Sequence, residues 1–138
     1  MVAIAPKGRV FKNYLLKIAT DSYEKAINSA ALTPTVPVAK FKGGTPDAVI
    51  VDTGIPEWKL DLSYLQDWET AGSLSIYLNN NIGKQVAMEF SPHGTGPKFT
   101  ATVLITPGAV GGAVDAFGVS TVSLEVVGQP VYAAGTVT

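Results

Sequence analysis

The sequence predicts a mainly β protein, an antiparallel β-sandwich or open barrel with one short flanking α-helix. Four segments alternate apolar and polar residues, clusters of glycine and proline separate them, and one stretch switches to a helical period. At 138 residues the chain is long enough to bury one core and too short for two. It therefore reads as a single domain over residues 1–138, with an N-terminal arm at 1–9, a long loop or hairpin at 33–54 and a C-terminal tail at 131–138.

Residues 58–83 are the centre of the pattern. Trp58, Leu60, Leu62 and Tyr64 alternate with Lys59, Asp61 and Ser63, the signature of a strand with one apolar and one wet face. Ser73 is then placed to cap a helix whose Leu74, Tyr77 and Leu78 share one face, and residues 79–83 tolerate a left-handed stop. A short helix over 73–81 is expected to lay this stripe on a sheet.

Taken in order, residues 1–8 have no period and are punctuated by Pro6 and Gly8, as a loose arm would be. Residues 10–18 alternate weakly and are expected to form a strand. Residues 23–32 fit two patterns: Ala26, Ile27, Ala30 and Ala31 make a helical stripe, while the flanking Ser22 and Pro34 suit a short strand between turns, the reading we favour. Residues 33–54 are broken by Pro34, Pro37, Gly43, Gly44, Pro46 and Gly54, with apolar bursts at 36–41 and 48–51. An extended hairpin bending at or near Gly43–Gly44 is expected there. Residues 85–91 and 99–106 alternate on either side of a turn enforced by Pro92, Gly94, Gly96 and Pro97. Residues 107–118, rich in Gly, Ala and Val, read as a mobile loop. Residues 119–127 read as the last strand, ended by Gly128 and Pro130, with the tail from 131 either extended and docked or disordered.

Composition narrows the function. Only 15% of residues are charged, against roughly 25% in an average soluble domain. With 46% hydrophobic residues and a net charge of -1, a lone monomer would be poorly protected against association. Lys and Arg are scattered singly, which argues against a nucleic-acid-binding face. Without cysteine there is no disulfide framework, thiolate metal site or thiol nucleophile. The apolar run at 1–5 is too short for a signal peptide and its basic residues, Lys7 and Arg9, follow rather than precede it. No apolar run is long enough to span a bilayer as a helix.

No catalytic, cofactor or metal site is expected. The single histidine, His93, lies in a turn and reads as solvent-exposed. Asp52, Glu57, Asp61, Asp67 and Glu69 have neither calcium-loop spacing nor a histidine partner. The glycines at 94–96 and 108–112 do not open a helix in a βαβ unit, so neither is a nucleotide loop. Trp58 and Trp68 read as core or core-edge aromatics; the alternative is a platform for sugar in a monomeric carbohydrate-binding or adhesin module.

The order Trp58-x-Leu60-x-Leu62, Gln66-Asp67-Trp68, then residues 73–78 and Gly83 resembles the centre of the major tail tube proteins of long-tailed bacteriophages, the siphophage type. Residues 107–118, the closing strand 122–130 and residues 23–34 are similar to other parts of that family, so the resemblance covers roughly 14–131. It implies the phage tail tube fold, a structural virion protein without enzymatic activity, and six copies in a ring. The rings would stack into a tube that conducts DNA during ejection. Contractile injection systems have related tubes. The implied partners are other copies of itself and the tape measure, tail tip and tail terminator proteins, with DNA only in transit and no membrane. The implied location is the virion tail, assembled in the cytoplasm of a bacterial host.

On that reading, four strands from each of six copies, about 24 at about 4.8 Å spacing, give a circumference of roughly 115 Å and a backbone diameter of about 37 Å, wide enough for a duplex of about 20 Å. The polar faces of the alternating strands would line the lumen with Lys59, Asp61, Ser63, Gln85, Glu89, Thr100, Thr102, Ser123 and Glu125. Asp61, Glu89 and Glu125 against Lys59 make this set acidic, a wall that repels phosphate. The excursion at 33–54 is too long and too apolar at Val36, Val38, Phe41, Val49 and Val51 to stand free in water, and is expected to contact a successive ring.

Overall fold

The computed structural model describes residues 2–6, 8–94 and 96–134. Met1 and Lys7 of the arm, Thr95 in the turn after His93, and residues 135–138 of the tail lie outside the described residues.

The central stretch forms β6, Glu57–Leu65, followed by α1, Leu74–Asn80. Alternation in β6 buries Leu60, Leu62 and Tyr64 and turns Lys59, Asp61 and Ser63 the other way. Ser73 caps α1: its backbone is extended and its Oγ accepts from the Ile76 N–H, satisfying one of the free donors of the first turn. Asn81 closes the helix with its N–H on the Tyr77 carbonyl, and Gly83 turns the chain out at φ 84°. Leu74 and Leu78 are buried and Tyr77 packs beside them.

Seven strands form one antiparallel sheet. In chain order they are β1 Leu15–Ile18, β2 Asp21–Ser22, β3 Ile27–Thr35, β6, β7 Gln85–Ser91, β8 Lys98–Leu104 and β9 Val119–Ala133; in space they run β2-β1-β7-β8-β9-β6-β3. The sheet curls around one core without closing into a barrel. Leu16 and Ile18 from one half join Leu60, Leu62 and Leu124 from the other, with Met88, Phe90, Val103, Ile105 and the α1 leucines between them. Burial of these side chains is the main stabilising term, on the order of 1.5–3 kcal/mol for each large one. The edge strand β3 carries Pro34, which is tolerated there because an edge needs no outward hydrogen bond.

The turn between β1 and β3 resolves the ambiguity of residues 23–32 as a strand beginning at Ile27. Residues 33–54 contain a separate two-stranded hairpin, β4 Val38–Lys42 with β5 Val49–Thr53, whose bend holds Gly43 and Gly44. The Gly54 N–H donates to the Pro37 carbonyl at 2.8 Å, so the hairpin leaves and returns at one point.

Three expectations are corrected. The first strand begins at Leu15, because residues 10–14 have no neighbouring strand to pair with. The last strand does not stop at Gly128. Gly128 takes φ 84° in a bulge that shifts the pairing between Thr100 and Thr102, and beyond it β9 continues along β8 to Ala133. The loop at 107–118 is anchored: the Ser120 hydroxyl donates to Ala109 O at 2.6 Å, and Gln66 bonds it at Gly111 and Gly118.

Candidate functional site

The face of the sheet turned from the core is polar. Register places Lys59 against Glu125, Asp61 against Ser123, Ser63 against Thr121, Gln85 against Leu104, and Glu89 against Thr100, with Ala87 opposite Thr102. The nine residues expected to line a lumen therefore share one face. Ser91 and Thr106, which alternation puts there too, do not act as open polar positions: Ser91 is buried with its hydroxyl on the Pro97 carbonyl at 3.0 Å, and Thr106 lies beyond the end of β8.

Asp61 is the organising residue of this face. Its two carboxylate oxygens accept from Ser123 Oγ on β9 at 2.5 Å and Thr33 Oγ1 on β3 at 2.9 Å, tying three strands together. Lys59 pairs with Glu125 at 3.5 Å and Lys98 with Glu89 at 3.9 Å. Pairing also brings Lys17 beside Glu89, and β6 starts with Glu57 on the same side as Lys59. The face thus holds three lysines against four carboxylates, a net charge of -1. The side-chain pattern alone, which omits Lys17, Lys98 and Glu57, makes it more acidic.

The hairpin leaves a set of apolar side chains uncovered. Every residue of β4 and β5 is exposed. Val38, Val49 and Val51 stand on one face with Lys40 and Lys42, while Phe41 stands on the other, opposite Ile50. Phe41 is 65% and Ile50 66% exposed. Ile50 is as exposed as the residues expected to make contacts, and the sequence pattern misses its pairing with Phe41 because period-two bursts do not give cross-strand register. Val36 is exposed just before β4.

A cleft of about 550 Å³ opens where the chain passes from β2 into β3 and from β6 into α1. Asp67 on its rim accepts from the Glu69 and Thr70 N–H groups at 3.0 and 3.1 Å. The Thr70 hydroxyl first, and these N–H groups after it, hold its carboxyl below the usual range. Tyr23 lines the same cleft, and burial first, then the Asp21 charge, pushes its phenol up to about 12.

His93 is half-buried in its turn and lies 5.1 Å from the Phe11 ring, which also meets Tyr14 at 6.0 Å. This corrects the solvent-exposed placement: the segment just before β1 packs over the turn. The two tryptophans do not form one platform. Trp58 is half-buried near the start of β6, its indole N–H enclosed without an acceptor, whereas Trp68 follows the far end of β6 and is 41% exposed. Most of the length of β6 lies between them.

Among the described residues no cluster of His, Cys, Asp or Glu is arranged to hold a metal ion, and no helix is long and apolar enough to cross a membrane. No protein-family model matches this chain, and no curated protein matches it.

Proposed function

We propose that this chain is a structural subunit forming homohexameric rings that stack into a tube of the kind built by bacteriophage tail tube proteins, with DNA passing through the bore. The observation that carries the reading is the β4–β5 hairpin, which projects from the main sheet with apolar side chains exposed on both faces. A monomer gains nothing from such an element, whereas a neighbouring copy would cover it. The curled sheet supports the same role, since one face packs the core and the other presents hydroxyls and paired charges suited to a hydrated lumen wall. In this role the chain needs no catalysis or cofactor. Its partners are copies of itself and, at the tube ends, tape measure, tip and terminator proteins.

Electron microscopy and mass measurement of the purified protein test this. Hollow rings or filaments with six copies per ring are expected. A protein that stays monomeric at high concentration and when seeded with tail-tip components would sink the proposal.

A further inference from the structure

The cleft between the β2–β3 turn and α1 is lined by Asp21, Glu24 and Asp67, and Glu24 Oε2 is enclosed without a hydrogen-bond partner. Tyr23 is 6% exposed and its ring lies 5.9 Å from Tyr77. Its hydroxyl is buried beside the Asp21 carboxylate. Glu24 lines the same cleft. An enclosed carboxylate oxygen without a partner is costly, so a ligand that donates to it is favoured. The cleft carries Asp21, Glu24 and Asp67 against Lys25, a net charge of -2. The complementary group is a cation with several donors on an apolar stem, which describes a lysine side chain.

The hairpin presents that group. Lys40 and Lys42 share a face with Val38, Val49 and Val51, while Asp52 lies on the opposite face and Asp47 in the bend. This face therefore carries a charge of +2 and no acid. Exposed Leu65, on the cleft wall, offers an apolar partner for the valines.

The two surfaces sit at opposite ends of the same strand pair. β3 starts beside the cleft at Ile27 and ends toward the hairpin at Thr35; β6 leaves the hairpin at Glu57 and reaches the cleft at Leu65. Nine residues of strand separate them by about 30 Å, so they cannot meet within one chain. Two copies displaced along the strand direction bring them together, and a head-to-tail contact of this kind repeats without limit.

We propose that the Lys40/Lys42 face of the hairpin of one copy docks in the cleft of the next, with the ammonium groups donating to the Asp21 and Glu24 carboxylates. This rests on the stacked-tube reading and names the surface that receives each hairpin.

The absence of cysteine makes the test clean. Lys42→Cys chains are mixed with Lys25→Cys chains, or with Thr121→Cys chains as a control on the polar face, and oxidised mildly. Cross-linking to position 25 is expected to exceed that to position 121 by at least about tenfold. Asp21→Lys with Glu24→Lys is expected to abolish assembly, and adding Lys40→Glu with Lys42→Glu to the same chain to restore it. Tubes that form without preferential cross-linking, or that tolerate the cleft reversal, overturn the docking and leave the tube reading standing. Cross-linked pairs without tubes uphold the docking and overturn the tube. Neither cross-links nor assembly overturns both.

Discussion

Gln66 and Gly111 close a two-bond ring across 45 residues of chain: Gln66 Nε2 donates to the Gly111 carbonyl and the Gly111 N–H donates to Gln66 Oε1, each at 2.9 Å. The Gln66 N–H also reaches the Gly118 carbonyl at 2.7 Å. One side chain therefore orders a loop that has few side chains of its own to pack. Gln66→Glu sets a carboxylate oxygen against the Gly111 carbonyl and should cost about 1–2 kcal/mol. Hydrogen exchange should quicken at residues 109–112. Unchanged exchange there would show that the loop is ordered by something else.

Gly108 packs under the hydroxyl of Tyr64, which an added methyl would overlap. Gly108→Ala should destabilise by about 1–3 kcal/mol. In a Tyr64→Phe background the oxygen is gone, and the same substitution should cost clearly less. Denaturant melts of the four proteins give the coupling, and additive costs would contradict the contact.

Tyr23 sets an alkaline limit. Its phenol is raised from 10.0 to about 12, by burial first and Asp21 second. Below pH 10 it is protonated in both folded and unfolded chains. Between pH 10 and about 12 the unfolded chain loses that proton while the folded one keeps it, so stability falls as pH rises. Tyr23→Phe should flatten this part of the stability curve. An equal slope in both proteins would refute the assignment.

The hairpin should be removable. Its two ends meet at the Pro37–Gly54 bond, and its exposed strands add little burial to the main core. Replacing residues 38–53 by Gly-Gly is expected to change stability by less than about 1 kcal/mol, since little apolar area is lost. Tube formation should be lost. A variant that unfolds, or one that still builds tubes, would remove the hairpin from the assembly scheme.

The polar face allows a graded charge experiment. The Lys59–Glu125 and Lys98–Glu89 pairs are exposed, so Glu125→Gln and Glu89→Gln should each cost less than about 0.5 kcal/mol. Asp61→Ala breaks bonds to two other strands and should cost about 1–2 kcal/mol. In assembled particles Glu89→Lys with Glu125→Lys should slow DNA passage, most at low salt. Passage at the normal rate would place this face away from the DNA.

Much of the fold is legible in local pattern. Alternation marks β6 and β7, Ser73 marks the start of α1, and the glycines near residue 43 mark the hairpin bend. What escapes depends on partners far along the chain. The second half of β9 follows Gly128 and Pro130, which signal an end unless β8 is known to lie alongside. The anchoring of residues 107–118 uses backbone groups and a glutamine from β6's far end, so side-chain pattern does not reveal it. In the hairpin, apolar bursts identify a sticky element, but only the Phe41–Ile50 register separates its valine–lysine face from its aromatic one. The cleft was missed altogether, because residues 21–26 and 70–74 that line it are brought together only by the fold.

Because β9 pairs with β6 in its first half and with β8 in its second, it is the seam of the sheet. It is also the last strand in chain order. During synthesis, β6 and β8 leave the ribosome each with a bare edge, and the core cannot seal until Val122 and Leu124 of β9 have emerged. Folding is then a late, concerted event dominated by long-range pairing, which is slow. Throughout that interval the apolar hairpin is already exposed, so the nascent chain is open to association before its core forms.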